Sequence, residues 1–235
     1  MKPRDLVEFT RRTYARPASV EGWAEDALVD AGLTTAERDL LGRVPLDGGR
    51  AIVLGLGGGR EAIPLAVKGF AVTGVDFVPA LVRRAEENAA RRGVRIEGLV
   101  QDISAFEVRG GEFDLAWMTA GTYSSIPTSR RRRETARRIL RALRPGGFFV
   151  CDFLIDPEAG SSPFGERLRR AFAWLTLGNV GYETGDRLTS GIEFSHAFRS
   201  ESEIRAEFES AGFAVLHSSF PSAARRGGAV LKKAD

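Results

Sequence analysis

Short apolar runs alternate along this chain with longer segments whose apolar residues recur every three or four positions. The clearest run is Ala51-Ile52-Val53-Leu54, too short for a helix and followed at once by glycines. It reads as a parallel strand buried on both faces. Residues 60–68 follow as a helix, stopped by Gly69. The unit then repeats: a strand over 70–75 ends at Asp76, and a helix over 79–92 is closed by Gly93. A third strand over 94–100 ends at Asp102, and a fourth covers 113–118. A helix over 129–143 is stopped by Arg144-Pro145-Gly146-Gly147, and a fifth strand covers 148–154. Strand, helix and strand at this rhythm predict βαβ units, and so an open parallel α/β sheet with helices on both faces.

The flanks read differently. Residues 4–42 have helical spacing, broken at Arg16-Pro17 and Ala31-Gly32, and the turn around Pro45 ends them. After Asp156 the alternation loosens: an amphipathic helix over 164–177, a strand over 192–199 and a helix over 201–211 closed by Gly212. Segments 213–219 and 229–232 pair as an antiparallel closing unit. The expected organisation is a helical cap over 1–45 and a main domain over 46–235 with an insert at 156–199, together one structural unit.

Composition narrows the class. At 235 residues with 43% hydrophobic content the chain can bury a full core. One cysteine, Cys151, excludes an internal disulfide framework and a cysteine-built zinc site, and two histidines argue against a histidine-rich metal centre. We expect no metal. No apolar run approaches the ~18 residues of a membrane span, and no signal segment follows Met1, so a cytoplasmic protein is expected. The net charge is +3, with nearly all the positive charge from arginine and acidic residues interspersed. The run Arg130-Arg131-Arg132-Arg133 accompanies an apolar stripe of Ala136, Ile139, Leu140 and Leu143. A solvated face of a sheet-covering helix is the expectation there, and nucleic acid an unlikely partner.

The glycine loop Gly55-Leu56-Gly57-Gly58-Gly59-Arg60 between strand and helix is the first chemical signal. Glycines turn sharply and admit a ligand where a Cβ would intrude. A dinucleotide fingerprint needs glycine or alanine at its third position, where this chain has Arg60. Asp76, about 20 residues on at the next strand end, suits ribose hydroxyls, with Phe77 beside it for the base or sugar.

The spacing Gly55-x-Gly57-x-Gly59, followed by Asp76 and Asp102, resembles the class I S-adenosylmethionine-dependent methyltransferases from Ala51 to the C-terminus. That resemblance implies a Rossmann-like doubly wound, mainly parallel seven-stranded sheet with an antiparallel C-terminal strand. It also implies S-adenosyl-L-methionine as cofactor and S-adenosyl-L-homocysteine as product. The implied cofactor-binding set is Gly55, Gly57 and Gly59 for the methionine portion, Asp76 and Phe77 for the ribose, Asp102 and Ile103 for adenine, and Thr119 at the fourth strand end. The family commonly carries an acidic residue two positions before the first glycine; here that residue is Val53.

Methyl transfer is an in-line displacement in which the protein aligns donor and nucleophile and excludes water. Tyr123 after strand four and His196 in the insert are the candidate catalytic side chains. A small-molecule acceptor with an oxygen, nitrogen or carbon nucleophile is expected, enclosed by cap and insert. The alternatives are an NAD(P)-dependent oxidoreductase and a non-catalytic adenosyl-binding protein; the sequence leaves oligomeric state open.

Overall fold

The structure is a computed structural model and describes residues 3–158, 183–189, 193–221 and 225–235. The helix expected over 164–177 lies outside the described residues. Four helices precede the sheet: α1 (Pro3–Tyr14), α2 (Pro17–Trp23), α3 (Asp26–Ala31) and α4 (Thr35–Leu41). Pro17 opens α2, where a missing N–H costs nothing. Thr34 and Glu37 form a reciprocal capping box at the start of α4.

The central strands are β1 (Gly49–Leu54), β2 (Phe70–Asp76), β3 (Ile96–Val100), β4 (Phe113–Met118) and β5 (Leu143–Ile155). Helices α5 (Ala62–Val67), α6 (Pro79–Arg91) and α7 (Ser129–Ala142) connect them. The C-terminal part adds β6 (Asp186–Thr189), β7 (Glu193–Phe198), α8 (Glu201–Ala211), β8 (Phe213–Ser219) and β9 (Arg226–Lys233). The order β3-β2-β1-β4-β5 is parallel throughout, and β9 then β8 continue it antiparallel. These seven strands are the sheet the sequence leads one to expect. The β6–β7 hairpin is an addition, giving nine strands among the described residues.

Alternation along β1 divides its side chains between two cores. Ile52 and Leu54 join Ala136, Ile139, Phe149 and Phe208 under α7 and α8. Ala51 and Val53 join Leu41, Leu65, Ala85 and Trp117 under α4, α5 and α6. Cys151 is buried in the first of these and packs as a small hydrophobe.

Two departures from expectation shape the site. The Arg144-Pro145-Gly146-Gly147 stretch is not a loop before the strand but the start of it, because Leu143 already pairs with Phe113 across a register shift. Asp114 fastens this end, accepting from the Arg50 backbone N–H at 2.7 Å and pairing with Arg144. At the other end, β9 occupies one edge of β5 from Phe148 to Leu154. The edge that β4 leaves after Cys151 is therefore taken by β7, through Leu154 and Ile155. The hairpin thus stands beyond the carboxyl end of β4, and α1 lies against it.

Candidate cofactor and acceptor site

Strand order reverses between β1 and β4, since the chain runs from β1 outward to β2 and β3 and then returns on the other side. In open α/β sheets the crevice at that reversal, beyond the carboxyl ends, is where ligands bind. A cavity of about 380 Å³ lies there. One end is walled by Gly55, Gly57, Asp76, Phe77, Asp102 and Ile103; the other by α1, Ala120 to Thr122, the hairpin and Arg226.

The glycine loop shows why it needs glycine. Gly55 and Gly57 adopt φ of +88° and +52°. A Cβ on Gly55 would press on Thr122 at 3.0 Å, whereas one on Gly57 meets no protein atom within 4 Å and would project into open space. Gly58 lies directly under the cap: a Cβ there would come within 2.3 Å of the Trp23 carbonyl oxygen. Buried Asn88 of α6 ties the same pieces together by donating to the Gly58 carbonyl at 2.8 Å and the Ala24 carbonyl at 3.4 Å.

Asp76 is nearly buried, which raises its pKa, and it accepts from the Gly57 N–H at 3.0 Å and the Val78 N–H at 2.9 Å. Its carboxylate therefore holds the glycine loop and caps the entry to α6. A carboxylate has about four acceptor positions, so capacity remains for a ribose hydroxyl. Asp102 is more open and accepts from the Ser104 N–H at 2.7 Å. The arrangement offers acceptors for a sugar and an exocyclic amine, with bare backbone at the sulfur end. These residues fit an adenosyl cofactor.

Not every candidate from the sequence reaches the cavity. Gly59 and Thr119 are beside it rather than in its wall. The Thr119 hydroxyl accepts from the Trp117 indole at 3.1 Å and donates to Glu61 at 3.2 Å. Tyr123 is fully buried among Phe198 and Phe208, and its hydroxyl donates to Glu207 at 2.8 Å. Burial and the adjacent Glu207 carboxylate push the phenol well above its ordinary pKa. His196 is likewise buried, with Nδ1 2.8 Å from Asp186. Its neighbours Phe194 and Ser195 line the cavity instead. Neither candidate side chain lines the cavity.

The arginine run departs from expectation at one position. Arg132 is 1% exposed; its guanidinium reaches Glu207 at 2.8 Å and Glu183 at 2.9 Å and lies over the Phe198 ring. The solvated-face reading fails there because two acidic residues, distant in sequence, meet it in the core. Among the described residues, Glu183, Asp186 and His196 bring metal-ligand atoms within 4.8 Å of one another. Arg132 already supplies the positive charge at that cluster, and the cluster is outside the cavity wall.

Arg60, Arg226, Tyr14 and Trp23 complete the wall. Arg60 donates to Glu37 at 2.7 and 2.8 Å, to the Gly32 carbonyl at 2.8 Å and to Glu61, locking α4 to the glycine loop. Arg226 pairs with Asp152 at 3.0 Å, and Asp152 also accepts from the Gly121 N–H at 2.6 Å. Tyr14 packs edge-on against Trp23, and both line the cavity. An aromatic at 14 was visible in the sequence; the partners of Arg60 and Arg226 were not.

Comparisons with known proteins agree with this geometry. A family model described as a methyltransferase domain matches residues 51–147. The chain is 30% identical over 186 residues to a ubiquinone biosynthesis O-methyltransferase of Methylobacterium sp. (strain 4-46), covering 79% of this chain and 68% of that one. It is 31% identical over 181 residues to the protein of the same name from Methylobacterium nodulans, covering 76% of this chain but 65% of the relative. The chain thus spans about two thirds of the length of these relatives. In fold it matches the 1,6-didemethyltoxoflavin-N1-methyltransferase of Burkholderia thailandensis, solved with 1,6-didemethyltoxoflavin and S-adenosylhomocysteine, at TM-score 0.67 and 18% identity over 100% of this chain and 92% of that one. Sequence kinship and sheet architecture converge: the chain belongs to the class I S-adenosylmethionine-dependent methyltransferases.

Proposed function

We propose that this protein methylates an oxygen atom of a small organic acceptor, an acidic hydroxyl such as a phenol. The observation that carries this reading is the continuity of the cavity. It runs from the nucleoside end at Asp76 and Asp102 past the bare glycine backbone to an end enclosed by Val7 and Thr10 of α1, Phe194 and Ser195 of the hairpin, and Arg226. About 380 Å³ is of the size of a small-molecule site and favours a compact acceptor over a polymer. The names of the relatives, O-methyltransferases of ubiquinone biosynthesis, support oxygen as the accepting atom.

When bound, the cofactor supplies a sulfonium methyl whose S–C bond breaks as the O–C bond forms, leaving a neutral thioether. The chain's part is to hold both reactants in line and keep water out. Tyr14 and Trp23 close the cavity from the cap side, and Leu56 and Leu81 add apolar wall. Arg226 stands at the β4 tip, where a Cβ on Gly121 would come within 3.7 Å of its guanidinium. Held there by Asp152, it stabilises an acceptor in its oxyanion form and makes a strong general base unnecessary.

The test uses methyl-labelled S-adenosylmethionine with a panel of phenols and catechols, read by mass spectrometry and by calorimetry with S-adenosylhomocysteine. We expect methylated product, and Arg226→Ala should cut kcat about tenfold or more while leaving S-adenosylhomocysteine affinity unchanged. Tight S-adenosylhomocysteine binding with no methylated product from any acceptor would overturn the enzymatic reading in favour of a binding protein.

A further inference from the structure

The chain lacks an acidic side chain at position 53, because Val53 is 1% exposed in the apolar layer under α4 to α6. A different carboxylate reaches the same crevice. Glu61 follows the glycine loop, lines the cavity and is 7% exposed. Its Oε1 accepts from Arg60 and from the Thr119 hydroxyl at the β4 tip, so the side chain bridges the two strand ends that flank the reversal. Among the described residues, Oε2 accepts from no other residue.

Charge bookkeeping makes the site incomplete. Arg60 is shared between Glu37, at 2.7 Å, and Glu61. With both carboxylates ionised, the cluster of three carries one uncompensated negative charge, in a place shielded from water. Glu37 keeps the larger part of the cation, through a bidentate pair, and its pKa falls to about 2. Glu61 is left with burial and the repulsion of Glu37, and rises to about 7. A buried acid in this state is stabilised in its charged form by an arriving cation.

We propose that Glu61 receives the α-ammonium of the cofactor's methionine portion, in place of the acidic residue absent at position 53. The inference rests on the adenosyl reading of the cavity. The ammonium supplies the missing positive charge, and binding releases the proton that Glu61 holds near neutrality. The charged groups facing Glu61 are Arg60 on its own loop and Glu37 on α4; Thr119 faces it with a hydroxyl. Asp76, Asp102 and Arg226 stand elsewhere on the same cavity wall.

Calorimetry with two probes tests this. S-adenosylhomocysteine carries the ammonium; 5′-methylthioadenosine has the same nucleoside and sulfur without it. At pH 6, in buffers of different ionisation enthalpy, S-adenosylhomocysteine should release close to one proton more than 5′-methylthioadenosine. Its affinity should be about tenfold weaker at pH 6 than at pH 8. Glu61→Gln should abolish the extra proton and weaken S-adenosylhomocysteine by about tenfold at pH 8, leaving 5′-methylthioadenosine unaffected. Equal proton release for both probes in the unaltered protein overturns the proposal even if the variant does not fold. So does an unchanged affinity ratio in a variant that still binds 5′-methylthioadenosine. If the unaltered protein binds neither probe, the adenosyl reading itself fails, and Glu61 with it.

Discussion

Gly57 and Gly58 are neighbours that respond oppositely to one added carbon. At Gly57 a Cβ meets nothing within 4 Å, but φ is +52°, so Gly57→Ala should cost about 1–2 kcal/mol of stability and intrude on the bound cofactor. At Gly58 the same carbon runs into the Trp23 carbonyl and the Ala24 Cα, so Gly58→Ala should push the cap off the loop and cost about 1–3 kcal/mol. Thermal unfolding and S-adenosylhomocysteine titration of both variants check this. We expect the larger loss of affinity relative to stability at Gly57, and the larger loss of stability at Gly58. The need for glycine was legible in the motif; which glycine faces ligand and which faces cap was not, because the cap's return onto the loop is a tertiary event. Asp76 shows the same limit: its place at a strand end pointed to ribose hydroxyls, and only the folded loop shows that its carboxylate also holds the Gly57 and Val78 N–H groups.

At the scale of elements, Arg132 is the joint between α7, α8 and the hairpin. It meets Glu207 on α8 and Glu183 before β6, while Glu207 also takes the Tyr123 hydroxyl. Removing one member of a buried ionic network leaves uncompensated charge and costs about 3–5 kcal/mol. Arg132→Met should do so in denaturant unfolding, and adding Glu207→Leu should recover part of the loss, because the second change removes the stranded carboxylate. A loss that simply adds in the double variant would show the two residues are not coupled. Element positions followed periodicity closely: β4 and α8 occupy the segments read from the pattern. β6 went unseen, being four residues that form a strand only by pairing with β7. The early start of β5 was hidden for a related reason: Pro145 and the glycines argue for a turn locally, and pairing at Leu143 overrides them.

The whole molecule should report its unpaired charge through pH. Glu37, lowered to about 2 from an ordinary 4.5, adds stability above pH 4.5 that is lost as pH falls toward 2. Glu61, raised to about 7, has the opposite sign: the folded state prefers its protonated form, so stability declines as pH rises from about 4.5 through 7. Unfolding of the unaltered protein, compared with Glu61→Gln across pH 5 to 8, should show a relative decline of about 1–3 kcal/mol. Saturating S-adenosylhomocysteine should remove it. A flat difference without ligand would mean that Glu61 carries no such strain. Among the described residues no helix is long and apolar enough to cross a membrane.

Local pattern determined the alternating strands and helices, the glycine turn and the acidic strand ends, because each depends on residues within a few positions of one another. Tertiary structure alone decided what surrounds the acceptor and where the buried charges go. Arg132 finds Glu183 and Glu207 across 51 and 75 positions, and Arg60 finds Glu37 across 23. Tyr123 and His196 were turned inward by packing partners that no spacing rule contains. Periodicity records which side of an element is apolar; the identity of the group that arrives opposite a charge depends on how the chain closes on itself.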